Sequence, residues 1–377
     1  MKSKRTKRAK TLSNGREKSV PIPTDLIIDI FLRPPLKSVA RFRCVSMLWA
    51  SIVALPYLTK LFTNRDSAHP QLLFVYRQLD KLVFLSSPQP QNLDENSSYV
   101  AVKHLPRIPF HCSSCYVSGL VQGLLSLRVI SKRMQPVHII CNPSTGQALT
   151  LPKIKRMRGR LIRARNLLGY DPIDNQSRYF LDQPQVLTLG TGELKWRRIK
   201  CSPPQNYFQP GKCINGVLYY PVRTPKRDMI GCFHVRSETF SFIEVEGTLK
   251  GEVFSCTLIN YNGKLGSLIT RYCFVDRACR SIKLLVIGNF EKQESSKHEY
   301  VLPPMWEDVV GRAELRLVGL VGTNEVVLSD PSQVIYYNIE TRGVAKVAIQ
   351  GIEASPECEF ATFLHHIEDL KLAQAFK

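Results

Sequence analysis

A strand-like segment of one character recurs along most of the chain at nearly constant intervals. The copies are QLLFV at 71, QGLLSL at 122, NLLGYD at 166, NGVLYY at 215, NGKLGSL at 262 and LVGLVG at 317, with gaps of 44 to 55 residues. Short strands repeating every ~45–50 residues are typical of β-propeller blades, and the kelch-like range fits best. A two-sheet sandwich also repeats short strands, but seldom at so regular a long period. The repeat therefore predicts an all-β, propeller-like domain.

Polar turns between apolar strands mark the same period. Thr145, Thr191, Thr239 and Thr341 each lie in such a turn. The first three are 46 and 48 residues apart, and the last lies 102 residues further on, which is two periods. Residues 284–303 fill the missing position with a longer turn, so the repeat continues without a gap.

Apolar stretches flank the proline pair Pro34-Pro35 near the N-terminus. The polar residues from position 25 to 33 are Asp25, Asp29 and Arg33, which are four residues apart. On a helix this spacing places them in one narrow stripe. Each proline disfavours the α conformation of the residue before it. We therefore expect this helix to end at Arg33 or one residue earlier.

A second helical face follows the prolines. Val39, Phe42, Val45, Trp49 and Ile52 recur at helical spacing, and three short helices are predicted in all. A unit this small cannot hide a first helix that is apolar on nearly every side. Either the rest of the chain or a partner protein must cover that helix, and the pattern alone leaves both open.

Positive charge is concentrated in two segments. The chain of 377 residues has a formal charge of +21, to which residues 1–18 and 153–165 contribute +7 each. The first segment is interpreted as a disordered basic tail, and its nuclear-import candidates are Lys4, Arg5, Lys7, Arg8 and Lys10. The second is interpreted as a basic loop, because no aromatic residue interleaves its charges as a nucleic-acid stacking platform requires. Nucleic acid is thus not the expected partner, and a basic, nucleic-acid-binding propeller protein is the alternative function.

Features of membrane and secreted proteins are missing. No run of about 18 apolar residues could span a bilayer, and the basic N-terminus is not followed by an apolar signal core. The 11 cysteines are odd in number and scattered, which indicates reduced thiols. We expect a nuclear and/or cytoplasmic protein with no membrane partner.

Catalytic and cofactor motifs are also missing. The sequence has no phosphate loop, dinucleotide fingerprint, HExxH motif or nucleophile elbow. Its sole C-x-x-C, Cys112 to Cys115, has His104 and His111 nearby, but no second ligand pair follows at zinc-finger spacing. The sequence predicts a non-catalytic protein without a metal or another cofactor.

The N-terminal helical segment resembles a known family. VPIPTDLIIDIFLRPPLKSVARFRCVSMLWASIVALPYLTKLF (20–62) is similar to the F-box of plant F-box proteins. The resemblance implies binding to a Skp-type adaptor and, through it, to the cullin and RING subunits of an SCF-type ubiquitin ligase. The adaptor-contact or framework residues that it implies are Pro23, Leu26, Ile27, Ile30, Phe31, Pro35, Val39, Val45 and Trp49.

One position departs from the pattern of that family. The family usually has a leucine before its proline, and this chain has Pro34. Losing a buried leucine side chain removes about 1 to 2 kcal/mol of apolar burial. Adaptor binding is therefore predicted to be retained but weaker than a leucine would give.

Residues from about 70 to 350 resemble the F-box-associated, type 3 interaction domain of the same family, which is kelch-like. The matching segments are GLVQGLLSL (119–127), NPSTGQALTLPKI (142–154), LLGYDPIDNQ (167–176), VLTLGTGELKWRRI (186–199), CINGVLYY (213–220) and FHVRSETFSF (233–242). After Asn175-Gln176 the family has a full apolar strand, whereas SRYFLDQPQ is short and polar. One blade is therefore predicted to be incomplete.

These observations predict an α+β multidomain chain that recruits an unknown target protein to the ligase. Its predicted parts are a basic tail (1–18), a small all-α F-box (19–63), a β-propeller-like domain (70–350) and a C-terminal tail or closing segment (351–377). The adjacent His365-His366 of the last part is interpreted as a surface pair.

Overall fold

The computed structural model divides the chain into two compact units, Met1–Pro34 and Pro35–Lys377. The structure describes residues 22–34, 36–55, 57–58, 61–62, 70–79, 81–89, 99–100, 102–109, 114–130, 136–154, 166–181, 185–190, 193–201, 210–223, 228–244, 256–270, 274–289, 294–352 and 359–368.

Three short helices come first in the chain. They are α1 (Thr24–Leu32), α2 (Leu36–Phe42) and α3 (Met47–Val53). The end of α1 confirms the prediction from the two prolines. The helical face predicted after the prolines is interrupted by a turn, and α3 starts anew because the Ser46 Oγ accepts the Trp49 N–H at 3.1 Å and caps the helix.

Residues 57–58 and 61–62 are also helical, and the other regular elements of the described residues, apart from the short helix α4 (Trp306–Val310), are strands. In chain order they are β1 (Gln71–Gln78), β2 (Lys81–Pro88), β3 (Tyr99–Val100), β4 (Lys103–His104), β5 (Ile108–Pro109), β6 (Ser114–Val121), β7 (Leu124–Ile130), β8 (Pro136–Asn142), β9 (Gln147–Thr150), β10 (Asn166–Asp171), β11 (Gln176–Leu181), β12 (Gln185–Thr188), β13 (Arg197–Arg198), β14 (Lys212–Ile214), β15 (Val217–Arg223), β16 (Asp228–His234), β17 (Thr239–Glu244), β18 (Cys256–Tyr261), β19 (Lys264–Ile269), β20 (Phe274–Val275), β21 (Ser281–Asn289), β22 (Glu294–Val301), β23 (Leu315–Val321), β24 (Glu325–Ser329), β25 (Gln333–Asn338), β26 (Val344–Ile349) and β27 (Phe360–His366).

These strands form six sheets, which we number as blades 1 to 6 in chain order. Blade 1 has the order β27-β1-β2-β4, with β5 also paired to β2. Blades 2, 3 and 4 are β6 to β9, β10 to β13 and β14 to β17, and blade 5 is β18-β19-β21-β22. Blade 6 has the order β20-β23-β24-β25-β26-β3, and the last pairing is parallel.

Each blade buries both of its faces against its two neighbours. In β1, Leu72 and Phe74 pack against blade 6, whereas Leu73 and Val75 pack against blade 2. Successive side chains of a strand point to opposite faces, so a strand between two interfaces is apolar at every position. This explains why LLFVY, within β1, is buried without alternation.

The blades close into a ring. Apolar clusters join blade 1 to 2, 2 to 3, 3 to 4, 4 to 5, 5 to 6, and 6 back to 1. The strand β27, from the C-terminal end, is the first strand of blade 1 and pairs with β1 through Phe74 opposite Thr362 and Val75 opposite Ala361. This unit is therefore a six-bladed β-propeller, which confirms the predicted fold class of short helices followed by a propeller.

The expectation that one blade is incomplete is wrong. The strand β11 pairs along its whole length with β10, from Asp171 opposite Gln176 to Asn166 opposite Leu181, and blade 3 has four strands. Its two aromatic residues fill both interfaces, because Tyr179 packs towards blade 2 and Phe180 towards blade 4. Two large rings supply the apolar area that the short segment was expected to lack.

The six markers that carried the repeat fall one in each blade, but four of them lie one strand later than expected. One is QLLFV in β1, which follows β27 in blade 1. QGLLSL, NGVLYY and NGKLGSL begin in a turn and continue into the second strand of their blade. In the latter two, Asn215-Gly216 and Asn262-Gly263 have positive φ at both positions, as a two-residue hairpin turn requires. The mixture of first and second strands accounts for part of the variation in the gaps.

The prediction that His365 and His366 both lie on the surface is wrong. His366 is 0% exposed, whereas His365 is exposed. Both residues end a strand, and neighbouring side chains of a strand face opposite sides. Burial, with the positive charge of Lys103, lowers the pKa of His366 from 6.5 to about 4. His138, buried between blades 2 and 3 beside the Tyr179 hydroxyl, has its pKa lowered to about 4 by burial and by Arg128.

These two histidines predict a loss of stability in mild acid. Between pH 6.5 and about pH 4 the unfolded chain binds protons that the folded chain does not, so the free energy of unfolding falls as the pH is lowered. At about pH 5 each histidine lowers it by about 2 kcal/mol. Thermal unfolding at neutral pH and about pH 5 is expected to show a smaller acid-induced fall for His366→Asn than for the wild type. The control is His298→Asn at an exposed histidine, which should show the same acid-induced fall in stability as the wild type. An equal fall in all three proteins would contradict the assignment of acid sensitivity to His366.

Candidate adaptor-binding helices and propeller hub

The helix α1 has an exposed apolar face. Leu26 and Ile30, one turn apart, are 50% and 44% exposed, and Ile22 just before the helix is also exposed. Ile27 and Phe31 are buried. The helix is apolar around most of its circumference, as expected from the sequence, and part of that apolar surface is open to water.

The segment of α2 and α3 has exposed apolar side chains of its own. The rings of Phe42 and Trp49 pack edge to face at 5.0 Å and connect the two helices. Val45, in the turn between the helices, and Met47, at the start of α3, are 63% and 91% exposed. Leu48 is exposed as well.

The predicted adaptor-contact residues divide by exposure. Those exposed are Pro23, Leu26, Ile30 and Val45; those buried are Ile27, Phe31 and Val39; Trp49 is partly buried, and Pro35 lies outside the described residues. The sequence reasoning missed Met47 and Leu48. The signal that could have found them is Ser46, because a helix capped there places these residues in its first turn, at least one turn before the buried Ile52 and Val53.

A cavity of about 430 Å³ lies at the hub of the propeller, and we call it the hub cavity. The first strands of the six blades contact one another in ring order, and five of them line the cavity: β6, β14, β18, β23 and β27. Its walls include Leu120, Leu258 and Phe363. The cavity reaches the surface at Phe274, which is 41% exposed.

The hydroxyl groups that line the hub cavity already have partners in the protein. The Ser118 Oγ donates to the Asn166 Oδ1 at 2.8 Å, and the Thr257 Oγ1 donates to the Leu317 carbonyl oxygen at 3.3 Å. The Thr362 Oγ1 donates to the Ser329 Oγ at 3.0 Å. The polar side chains of the cavity wall that remain available to a ligand are therefore mainly the charged ones.

Positive charge dominates around the hub cavity. Lys212 and Arg316 line it, and among the described residues no carboxylate lies within ion-pair distance of either. Burial lowers the pKa of Lys212. The guanidinium of Arg316 lies over the ring of Phe274, 5.5 Å from its centroid.

One carboxylate, Glu359, lies close to these cations. Its Oε2 accepts the Cys115 N–H at 3.1 Å. Burial raises the pKa of Glu359, and this hydrogen bond and the positive charges of Arg77, Arg316 and Arg128 lower it. Three arginines thus surround a single acid.

The remaining predicted features are only partly described. Lys4, Arg5, Lys7, Arg8 and Lys10 lie outside the described residues, as do Cys112, His111 and most of the basic segment 153–165. Cys115 is buried between blades 1 and 2, and His104 is exposed. Within the described ranges, no three His, Cys, Asp or Glu side chains converge as a metal site requires. None of the helices described here has the length and apolarity of a membrane span.

The chain combines short helices that have exposed apolar side chains with a six-bladed β-propeller, the architecture of a two-part, helix-plus-propeller class of proteins. The family described as "F-box associated beta propeller domain" matches residues 71–367. The chain belongs to the F-box proteins that have this domain, which confirms the resemblance seen in its sequence.

Similar proteins from Arabidopsis thaliana match nearly the whole chain. The F-box protein At5g65850 is 46% identical, covering 98% of this chain and 95% of that protein. The F-box protein DOR is 43% identical, covering 95% and 96%. Among solved structures, TolB from Acinetobacter baumannii has a TM-score of 0.42 and 8% identity, covering 85% of this chain and 73% of that one.

Proposed function

We propose that this chain is the substrate-recruiting subunit of an SCF-type ubiquitin ligase. Its N-terminal helices bind a Skp-type adaptor, through which the cullin and RING subunits are reached, and its propeller binds a target protein. The chain itself is non-catalytic in this role. Membership of the F-box family supports the proposal.

The observation that carries the proposal is where apolar side chains are exposed. Of the fourteen large apolar side chains exposed among the described residues, eight lie between Ile22 and Tyr57. That stretch is a small part of the chain, and the propeller, which is much larger, exposes only six. Concentrated exposed apolar surface marks an interaction site in a folded protein. The sequence left open whether the chain or a partner covers this surface, and its exposure favours a partner.

The two parts suit a receptor that performs no chemistry. A rigid propeller presents binding residues at fixed positions, and a separate docking segment connects the bound target to the ligase. Holding the target near a ubiquitin-charged conjugating enzyme raises the effective concentration of the reacting groups. Catalytic residues in the receptor are not needed for that role.

Co-expression of the full chain with a Skp-type adaptor and a cullin tests this proposal. Affinity purification of the chain is expected to recover the adaptor and, through it, the cullin. Omitting the adaptor should lose the cullin as well, because the proposed contact is indirect. A folded chain that recovers neither protein would contradict the proposal.

Replacing Pro34 with leucine is expected to strengthen adaptor binding. A leucine side chain that becomes buried in the interface adds about 1 to 2 kcal/mol, which corresponds to about 5-fold to 30-fold in the dissociation constant. Titration of the purified adaptor measures this gain. The control is Pro172→Leu at an exposed turn of blade 3, which should bind the adaptor as the wild type does. An unchanged dissociation constant for Pro34→Leu would show that Pro34 does not weaken the interface.

A further inference from the structure

At the hub cavity, apolar walls occur together with positive charges that have no carboxylate at ion-pair distance among the described residues. Lys212 reaches it from blade 4 and Arg316 from blade 6, and no described carboxylate forms an ion pair with either. Lys212 is partly buried and Arg316 is exposed, and a cluster of cations without counter-ions creates a positive potential that attracts anions. An anionic group entering the cavity would supply a counter-ion.

The single acid beside the cavity does not neutralise these cations. Glu359 faces the positive charges of Arg77, Arg128 and Arg316, and one of its oxygens already accepts the Cys115 N–H. Burial and the positive charge of Lys212 lower the pKa of His365. The charge that remains around the cavity is therefore positive.

The form of the cavity favours a peptide over a nucleic acid. Its volume is within the range of ~300–1,000 Å³ that is usual for ligand pockets, and its walls are largely aliphatic and aromatic. Nucleic-acid strands bind along basic grooves in which free aromatic faces stack on the bases. Phe274 is the exposed aromatic residue at this site, and Arg316 already lies over its ring.

We propose that the hub cavity binds an acidic segment of the target protein, with Lys212 and Arg316 contacting its carboxylates and the apolar walls contacting a neighbouring apolar side chain. This inference rests on the proposed function, because a ligase receptor takes a protein as its target. It adds the chemistry of the segment that is recognised.

Selection from a random-peptide display library tests the proposal with the immobilised full chain as bait and the bare support as counter-selection. Selected peptides are expected to be enriched in Asp and Glu next to apolar residues. The affinity of the most frequent peptide is then measured for the wild type and three variants. Lys212→Gln and Arg316→Gln should each weaken binding by about tenfold or more, as expected for loss of a charge-assisted contact.

The matched control is Arg198→Gln, which removes the same charge from the exposed outer strand of blade 3. It should change the affinity less than about twofold, since an exposed charge outside the contact contributes little. No acidic enrichment, or an equal loss in Arg198→Gln and Arg316→Gln, would overturn the proposal.

Two further outcomes separate this inference from its alternatives. Binding of a labelled oligouridine that displaces the selected peptide and is lost in Arg316→Gln would assign the cavity to nucleic acid instead. Adaptor capture by the wild-type chain is measured separately. Adaptor capture without acidic enrichment would reject the acidic-segment inference but not the proposed function. Acidic enrichment without adaptor capture would reject the proposed function but not the binding of acidic segments.

Discussion

Replacing both Leu26 and Ile30 with aspartate is expected to abolish adaptor capture while the propeller stays folded. The two side chains lie one turn apart on α1 and are 50% and 44% exposed, so the substitutions place carboxylates where water already reaches. Binding would then bury two charges without partners, which is far more costly than burying the original aliphatic groups. Interface anchors commonly contribute about 2 kcal/mol or more each, so the affinity should fall by more than about a hundredfold.

The control for this pair introduces the same chemistry elsewhere on the surface. Ile173, in the turn between β10 and β11, is 72% exposed, and Ile173→Asp should capture the adaptor as the wild type does. Thermal unfolding of both variants should match the wild type within about 0.5 kcal/mol, since they alter exposed side chains. Capture by the Leu26/Ile30 double variant at wild-type strength would exclude this face of α1 from the interface.

Replacing Phe360 with alanine is expected to lower the free energy of unfolding by about 3 to 5 kcal/mol. Phe360 is 3% exposed and begins β27, the strand that closes the ring. Its ring stacks on that of Phe74 at 6.1 Å, in the cluster that joins blade 1 to blade 6. The truncation leaves a cavity at the junction where the two ends of the propeller meet, and urea unfolding measures its cost.

A valine at an outer edge serves as the comparison for Phe360. Val301 ends β22, the last strand of blade 5, and is 63% exposed. Val301→Ala should change the free energy of unfolding by less than about 0.5 kcal/mol. If Phe360→Ala cost no more than Val301→Ala, β27 would not be holding the ring closed.

The features that sequence predicted well are local or periodic. The prolines set the end of α1 because they act on the residues directly before them. The long period gave the propeller and one marker for each of its six blades, since every blade repeats the same arrangement of strands. The continuous apolar run of β1 served only as a marker of the repeat, and the structure shows that it packs against two blades.

The features that sequence predicted wrongly depend on packing. The segment around Tyr179 was interpreted as polar, yet its hydroxyl finds a buried partner in His138 and its ring fills the interface with blade 2. His366 was placed on the surface because the sequence left open whether its segment is a tail or closes the propeller. Both errors treat a polar atom as a sign of exposure, although the Tyr179 hydroxyl is buried beside a hydrogen-bond partner.

The hub cavity could not be predicted from the sequence at all. The charged residues of the hub lie far apart in the sequence: Arg316 follows Lys212 by 104 residues, and Glu359 follows Arg316 by 43. Only closure of the ring brings their strands around one axis. Nothing in their local sequence distinguishes them from other charged residues of the chain. The excess of apolar surface near the N-terminus, in contrast, is visible from helical periodicity.

Direct binding of the adaptor by the N-terminal helices is tested best by the mass of a complex made from the two purified proteins. Light scattering on a mixture of the full chain and a Skp-type adaptor is predicted to give a species with one copy of each. The same mixture made with the Leu26→Asp and Ile30→Asp double variant should give two separate species. Separate species for a wild-type chain that is shown to be folded would contradict the account.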